Sequence, residues 1–263
     1  MSSAPALLPR PATPVSTPAT VELIFATWNI HGCHPEATFD AAAVAEVIAR
    51  TNADVIALQE AGAMAGGVDH AHAVALLLGM TCVAGPNVAR LGGRWRCGNA
   101  ILTRFPVLGS ENHDLSVVNA EPRGCLVARL ELPGGGELTA ASAHFGLRHR
   151  ERVRQAERLA AILDAESASP LLVGMDANDW FPGRDTRALR ATLTDAGAGA
   201  RATYPAALPL LRIDHVYVRD AAVERCETLT SPLIRATSDH LPVVARVQCA
   251  IATAERSFGS GFR

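Results

Sequence analysis

Apolar and polar residues along the chain follow helical spacing in some segments and strand-like runs in others. Helical spacing predicts helices over residues 39–50, 72–78, 148–165 and 184–190. Apolar, β-branched runs predict strands over residues 21–27, 54–58, 81–84, 99–103, 124–130, 138–143, 171–173, 213–218 and 243–247. Strands interspersed with helices, without a repeat or an internal linker, favour a single α/β domain.

Polar residues stand at the edges of six of these apolar runs. Four of them follow their strands and two precede or begin theirs: Asn29, Glu60, His144 and Asp176, then Asp214 and Asp239. All six can meet at one sheet edge only if the last two strands run opposite to the others. The pattern therefore predicts mixed sheets and argues against a doubly wound parallel fold.

Composition narrows the class of protein. Apolar residues form 49% of the 263 residues, enough for a sizeable core, and no apolar run reaches transmembrane length. The net charge is −2, so the chain lacks the strongly positive charge that is typical of a non-specific nucleic-acid binder. Apart from His, every basic residue is an Arg. Residues 1–20 have no signal-like apolar region. We expect flexible tails at 1–20 and 251–263 around a catalytic domain at 21–250, in a soluble, cytoplasmic monomer.

The cysteines do not form a recognisable metal or redox motif. They are Cys33, Cys82, Cys97, Cys125, Cys226 and Cys249. None belongs to a C-x-x-C pair and several stand in apolar runs, which predicts reduced and mostly buried thiols. The run His31-Gly32-Cys33-His34 lacks a second pair of zinc ligands, so we do not predict a zinc site there.

The polar residues at the strand edges are rich in oxygen donors. They are Glu60, Asp176, Asp214 and Asp239, together with Asn29 and Asn178. Converging carboxylates repel one another unless a cation lies between them, and oxygen donors select Mg²⁺, Mn²⁺ or Ca²⁺ over zinc. Such a cation suits phosphoryl chemistry, because it polarises the phosphate and stabilises the leaving oxygen. His240, beside Asp239, adds a group that titrates near neutral pH.

These segments together resemble the endonuclease/exonuclease/phosphatase superfamily, which includes pancreatic-type deoxyribonucleases, apurinic endonucleases, inositol-polyphosphate phosphatases and bacterial sphingomyelinases. The matching segments are Thr27-Trp28-Asn29-Ile30-His31-Gly32, Asp54-Val55-Ile56-Ala57-Leu58-Gln59-Glu60, Gly98-Asn99-Ala100-Ile101-Leu102-Thr103-Arg104, Ala143-His144-Phe145-Gly146-Leu147, Asp176-Ala177-Asn178, Arg212-Ile213-Asp214-His215-Val216 and Ser238-Asp239-His240-Leu241-Pro242. They follow the family's order over residues 21–247. One position departs from the pattern: the family usually has Gly directly before the acid of Asp-x-Asn, and this chain has Met175.

The resemblance implies a four-layer α/β sandwich, with two mixed β-sheets packed face to face and helices outside. It implies a phosphoesterase dependent on Mg²⁺ or Mn²⁺ that hydrolyses a P–O bond by attack of a metal-site water. The implied metal-site residues are Glu60, Asn29 and Asp239, and the implied phosphate-binding residues are Asn178 and Arg123. The implied catalytic residues are Asp176, which orients or deprotonates the water, His240, which contacts the phosphate, Asp214, which fixes the tautomer of His240, and His144, a second phosphate-side histidine.

The motifs leave the substrate open. It is a phosphodiester or a phosphomonoester, carried by a small molecule, a lipid-derived molecule or a nucleic acid. The alternative function is that of a DNA endonuclease or exonuclease, of the DNase-like or apurinic type. A non-catalytic phosphate-binding module is a further alternative, but it predicts missing ligands, and no ligand residue is missing.

Overall fold

The computed structural model describes residues 19–33, 39–64, 69–90, 94–166, 170–181 and 183–251. Except for Ala19, Thr20 and Ile251, the residues predicted to form tails lie outside these ranges. His34, the last residue of the His-Gly-Cys-His run, also lies outside them.

Strands and helices alternate along these ranges much as the sequence predicts. The strands are β1 (Ala19–Asn29), β2 (Val55–Met64), β3 (Thr81–Arg90), β4 (Trp95–Thr103), β5 (Val107–Asp114), β6 (Gly124–Glu131), β7 (Glu137–His144), β8 (Leu171–Asp176), β9 (Thr194–Asp195), β10 (Asp214–Arg219), β11 (Ala221–Thr228) and β12 (Val243–Ile251). The helices are α1 (Ala41–Thr51), α2 (His70–Leu78), α3 (His149–Ala165) and α4 (Pro232–Thr237). None of these helices is long and apolar enough to span a membrane.

The strands form two six-stranded sheets. The first sheet has the order β11-β12-β1-β2-β4-β3, and the second has the order β5-β6-β7-β8-β10-β9. Strand β1 is parallel to β2 but antiparallel to β12, and β8 is parallel to β7 but antiparallel to β10. Both sheets are therefore mixed, and the predicted reversal of the last strands is confirmed.

Three apolar cores separate four layers. Strand β1 illustrates the alternation, because Leu23 and Phe25 face the core between the sheets while Ala26 and Trp28 face the helices. The core between the sheets also contains Val55, Ala57, Leu126, Ala128, Leu172 and Val216. The core under α1, α2 and α4 contains Val44, Val47, Ile56, Val74 and Ile234. The core under α3 contains Val127, Ala141, Leu159, Leu163, Val173 and Met175. This arrangement confirms the predicted α/β sandwich.

The helix predicted over residues 184–190 is wrong. The structure has only a single 3₁₀ turn there, Leu189–Ala191. Asp185 is buried and accepts from Arg152 Nε at 2.6 Å, and His149 Nδ1 lies 2.5 Å from it. These ion pairs hold the segment against α3, so tertiary contacts override the weak helical pattern.

Two of the cysteines are bonded to each other, which corrects the prediction of reduced thiols. Cys33 and Cys97 form a disulfide with a Cα–Cα distance of 5.4 Å, although 64 residues separate them in sequence. The pairing of β2 with β4 brings Cys97 beside the segment that follows β1, and Trp95 Nε1 donates to the Cys33 carbonyl at 3.1 Å. The other four cysteines are free, and burial raises the pKa of Cys125 to about 12.

A buried ion pair anchors the segment that leads into β10. Both oxygens of Asp195 accept from the guanidinium of Arg212, one of them at 3.0 Å, and His215 Nδ1 lies 3.6 Å away. Burial raises the pKa of Asp195, but the contacts with His215 and Arg212 outweigh burial and hold the pKa well below its ordinary value. Asp195 therefore remains charged in the folded protein.

Replacing Asp195 with Asn should lower the free energy of unfolding by about 3 kcal/mol at neutral pH, because Arg212 would keep a buried charge without its partner. The pKa of Asp195 is lower in the folded state than in the unfolded state. The contribution of the carboxylate to the free energy of unfolding is therefore complete above a pH of about 4, and it is lost as the pH falls towards the folded-state pKa. Urea unfolding of the wild type and of Asp195→Asn across this pH range should show that the difference between their free energies of unfolding becomes smaller as the pH falls. A difference that stays constant with pH would contradict this assignment.

Candidate active site

A cleft of about 430 Å³ opens at one edge of the two sheets. Most of the residues predicted for the site line it: Glu60, Arg123, His144, Asp176, Asn178, Asp239 and His240. The other two, Asn29 and Asp214, are fully buried and hydrogen-bond to residues that line the cleft. The structure thus brings all the predicted site residues to one place.

Strand register places the central acids and histidines. His144 ends β7 and pairs with Asp176 at the end of β8, which in turn pairs with Asp214 at the start of β10. In the first sheet, a bulge in β2 between Leu58 and Ala61 gives Glu60 a φ of 55°. Bulges redirect side chains, and this bulge lies at the point where Glu60 lines the cleft.

Asp176 is the polar centre of the site. Its Oδ2 accepts from Asn29 Nδ2 at 3.0 Å and lies 3.4 Å from His144 Nε2 and 3.7 Å from His240 Nε2. Its Oδ1 accepts from the backbone N–H of Asn178 at 3.0 Å. Burial raises the pKa of Asp176; the positive charge of His240 opposes this shift and the negative charge of Asp214 adds to it. A carboxyl group with a raised pKa is suited to accept a proton near neutral pH.

His240 is fixed in one tautomer by Asp214. Its Nδ1 lies 2.9 Å from Asp214 Oδ2 and 3.1 Å from Oδ1, and because a carboxylate can only accept, we assign the proton to Nδ1. The Nε2 atom is left to face Asp176. Burial lowers the pKa of His240, but the charges of Asp214 and Asp176 outweigh burial and raise it above its ordinary value. His240 is therefore a cation that can donate a proton or a hydrogen bond.

His144 lies on the opposite side of Asp176 and is neutral. Burial lowers its pKa well below the ordinary value, and the charge of Arg123 adds to the shift. Asn178 Nδ2 contacts His144 Nε2 at 3.3 Å and donates to the Phe145 carbonyl at 3.1 Å. The two histidines around Asp176 thus hold opposite protonation states, an arrangement typical of acid–base sites.

Arg123 places a cation on the cleft wall. Its Nε donates to the Phe145 carbonyl at 3.2 Å, and its Nη1 lies 2.9 Å from Glu121 Oε2. Its guanidinium is therefore held in place and paired with a carboxylate.

The donor set beside Asp176 fits a hard divalent cation. Asn29 Nδ2 donates to Glu60 Oε1 at 3.1 Å, and its Oδ1 accepts from the backbone N–H of His31 at 2.9 Å, so in this structure the amide orients Glu60. Asp239 Oδ1 is buried and has no hydrogen-bond partner among the described residues. A buried carboxylate oxygen without such a partner, on the same cleft as the Glu60 carboxylate, suits an oxygen-ligated cation.

A second group of possible ligand atoms lies deeper. Atoms of Asp176, Asp214 and His240 fall within 4.8 Å of one another. Both oxygens of Asp214 and the Nδ1 of His240 are already engaged with each other, and Asp214 is fully buried. We therefore favour Glu60 and Asp239 as the metal-holding residues, because their carboxylates line the open cleft.

Three further residues belong to the site and were not predicted for it. His31 Nδ1 lies 3.1 Å from Asp239 Oδ1, and the Tyr204 ring packs 4.9 Å from the His240 ring. Asn99 lines the cleft and donates to the Gly124 carbonyl at 2.8 Å. The position of His31 two residues after Asn29 was a usable signal. Tyr204 stands in a segment without any periodic pattern.

Comparison with known proteins agrees with this geometry. The family model described as Endonuclease/Exonuclease/phosphatase family matches residues 26–240. The Escherichia coli (strain K12) protein YbhP, which is described as uncharacterized, is 35% identical over 157 residues, or 57% of this chain. The match spans only 62% of YbhP.

Solved structures share the fold at low sequence identity. An endonuclease/exonuclease/phosphatase from Beutenbergia cavernae superposes with a TM-score of 0.70 at 22% identity, covering 87% of this chain and 72% of its own. The mannosyl-6-phosphatase Bt3783 of Bacteroides thetaiotaomicron gives a TM-score of 0.69 at 18% identity, covering 86% of this chain and 99% of its own. Because the family model spans most of the sequence, the chain belongs to the endonuclease/exonuclease/phosphatase family.

Proposed function

We propose that this protein is a divalent-metal-dependent phosphoesterase that hydrolyses a phosphoester P–O bond by attack of water. The observation that carries the proposal is the buried Asp176 carboxyl between the neutral His144 and the protonated His240. The Glu60 and Asp239 carboxylates on the same cleft support a cation beside it. Membership of a family of phosphoester hydrolases supports the same reaction type.

Each residue has a distinct role in this reaction. Asp176 accepts a proton from the attacking water, whose oxygen forms a new bond to phosphorus while the ester P–O bond breaks. His240, oriented by Asp214, donates its Nε2 proton to the phosphate or to the departing oxygen. Asn178 and Arg123 hold the non-bridging phosphate oxygens, and His144 contacts them from the other side. A cation held by Glu60 and Asp239 supplies electrostatic stabilisation of the developing charge.

The surroundings of the cleft favour a small or partly apolar phosphoester over duplex DNA. Arg123 is paired with Glu121, and the net charge of the chain is −2, so the surface offers little attraction for many phosphates. Leu147 and Trp180 line the cleft and are exposed, which suits an apolar substituent next to the phosphate. The Bacteroides thetaiotaomicron structural neighbour is named a mannosyl-6-phosphatase, which supports a small phosphoester as a candidate substrate.

A substrate panel with and without metal tests the proposed function. We expect Mg²⁺ or Mn²⁺ to support hydrolysis of p-nitrophenyl phosphate or bis-p-nitrophenyl phosphate, and EDTA to abolish it. The same ions should raise the Tm, because a ligand that binds only the folded state stabilises it. Activity that persists in EDTA would contradict the metal requirement. Cleavage of plasmid DNA would favour the nuclease alternative, and no effect of any divalent ion on Tm or turnover would favour a non-catalytic module.

The cytoplasmic location and the monomeric state remain predictions. The disulfide between Cys33 and Cys97 counts against the cytoplasm, because disulfides persist mainly in oxidising compartments.

A further inference from the structure

His31 faces the two carboxylates that we assign to the metal. Its Nδ1 lies 3.1 Å from Asp239 Oδ1 and 3.8 Å from Glu60 Oε2. The side chain is half-exposed and lines the cleft together with both acids. One imidazole nitrogen therefore lies between two carboxylate oxygens that come from two other segments of the chain.

The contact between His31 and Asp239 is close, with the imidazole nitrogen facing the carboxylate oxygen. Asp239 Oδ1 has no hydrogen-bond partner among the described residues, even though His31 Nδ1 is 3.1 Å away. Two ligands at about 2.1 Å from one octahedral cation, at right angles to each other, lie roughly 3 Å apart. The separation of these two atoms is thus the separation expected of two ligands of one cation.

The backbone around His31 holds the imidazole in this place. His31 has a φ of 50°, an unusual conformation for a residue other than Gly, and its N–H donates to Asn29 Oδ1. The next residue, Gly32, is packed so closely that an added Cβ would lie 2.8 Å from the Glu60 carbonyl oxygen. Ser238 Oγ donates to the Asn29 carbonyl at 2.7 Å and so ties this turn to the segment that carries Asp239. Unusual backbone held by tertiary contacts is often found at functional sites.

We propose that His31 is a nitrogen ligand of the metal site, with Glu60 and Asp239, and that this mixed donor set selects Mn²⁺ over Mg²⁺. The inference rests on the proposed metal-dependent function and specifies the ligands and the ion. Imidazole nitrogen binds transition-metal ions well, whereas Mg²⁺ prefers oxygen donors alone. An imidazole ligand therefore adds more to the affinity for Mn²⁺ than to the affinity for Mg²⁺.

Pulsed electron paramagnetic resonance of bound Mn²⁺ tests the ligand directly, since a coordinated imidazole produces a ¹⁴N coupling. The variant His31→Asn removes the imidazole, and Asn tolerates the positive φ at this position. We expect the ¹⁴N coupling in the wild-type protein and its loss in His31→Asn. The Mn²⁺ affinity should fall by about tenfold or more, since loss even of a residue that only supports a ligand typically costs about 10–100-fold. The Mg²⁺ affinity should fall less. His72→Asn, on the exposed face of α2, is the matched control and should match the wild type.

The outcomes separate this inference from the proposed function. Mn²⁺ that binds with one-to-one stoichiometry but shows no ¹⁴N coupling would overturn the role of His31 and leave the metal-dependent function standing. A ¹⁴N coupling that persists in His31→Asn would assign the nitrogen to another histidine, such as His240, and would also overturn the role of His31. If Mn²⁺ does not bind the wild-type protein, the inference fails, and the proposed function fails with it only if Mg²⁺ does not bind either.

Discussion

Replacing Asp176 with Asn should lower kcat by about 10²–10⁴-fold without unfolding the protein. The carboxyl lies within 3.7 Å of Asn29 Nδ2, His144 Nε2 and His240 Nε2, so it is an acceptor that faces three polar groups of the site. Asn has the same shape but cannot take a proton from water. The loss should appear in kcat, because the proton transfer takes place only on the way to the transition state.

The same substitution should leave the metal-free protein as stable as the wild type, or more stable. Burial raises the pKa of Asp176 in the folded state, so ionisation of this group costs folding free energy. That cost is absent below the unfolded-state pKa and grows as the pH rises towards the folded-state pKa. In EDTA, the difference between the Tm of Asp176→Asn and the Tm of the wild type should therefore be more positive at pH 8 than at pH 4.

Asp195→Asn is the matched control for this experiment, because it changes another acid of the second sheet whose side chain is only 4% exposed and which lies outside the cleft lining. It should lose stability and keep its kcat, whereas Asp176→Asn should do the reverse. Equal losses of stability and turnover in both variants would mean that the activity of Asp176→Asn falls through unfolding, which would contradict the catalytic assignment.

The parts of the fold that carry the site could be predicted because their sequence patterns are local. Strands β8 and β10 are almost wholly buried runs, and Asp176 and Asp214 stand at their ends. A charged residue at the boundary of such a run cannot enter the core without a partner, so it marks the edge where polar groups gather. The direction of β10 and β12 followed from whether the polar residue precedes or follows its strand.

Other strands and helices could not be recognised from the apolar pattern, because one of their faces is exposed to solvent. The edge strands β5 and β11 alternate between half-buried and exposed residues, and neither was predicted. A strand with so few apolar positions cannot be told from a loop by its composition. The short helix α4 was missed as well, since six residues hold too few turns to show a period.

Contacts between distant segments were also beyond the sequence pattern. The disulfide joins Cys33 to Cys97 across 64 residues, and only the pairing of β2 with β4 brings them together. The role that we infer for His31 depends on a positive φ and on a carboxylate more than two hundred residues later in the chain. Neither feature can be recognised along the sequence, although the position of His31 two residues after Asn29 indicates that it lies near the site.

His240→Ala should lower kcat by about 10²–10⁴-fold. Asp214→Asn should also lower kcat, because the new amide can donate to His240 Nδ1 and favour the wrong tautomer. The two side chains act as one unit, since Asp214 is fully buried and both of its oxygens contact His240 Nδ1. The double variant should therefore be little worse than His240→Ala alone. Measurement of kcat and KM for both single variants and the double variant gives the coupling energy. Purely additive losses would show that Asp214 acts independently of the histidine, and turnover near that of the wild type in His240→Ala would remove His240 from the reaction.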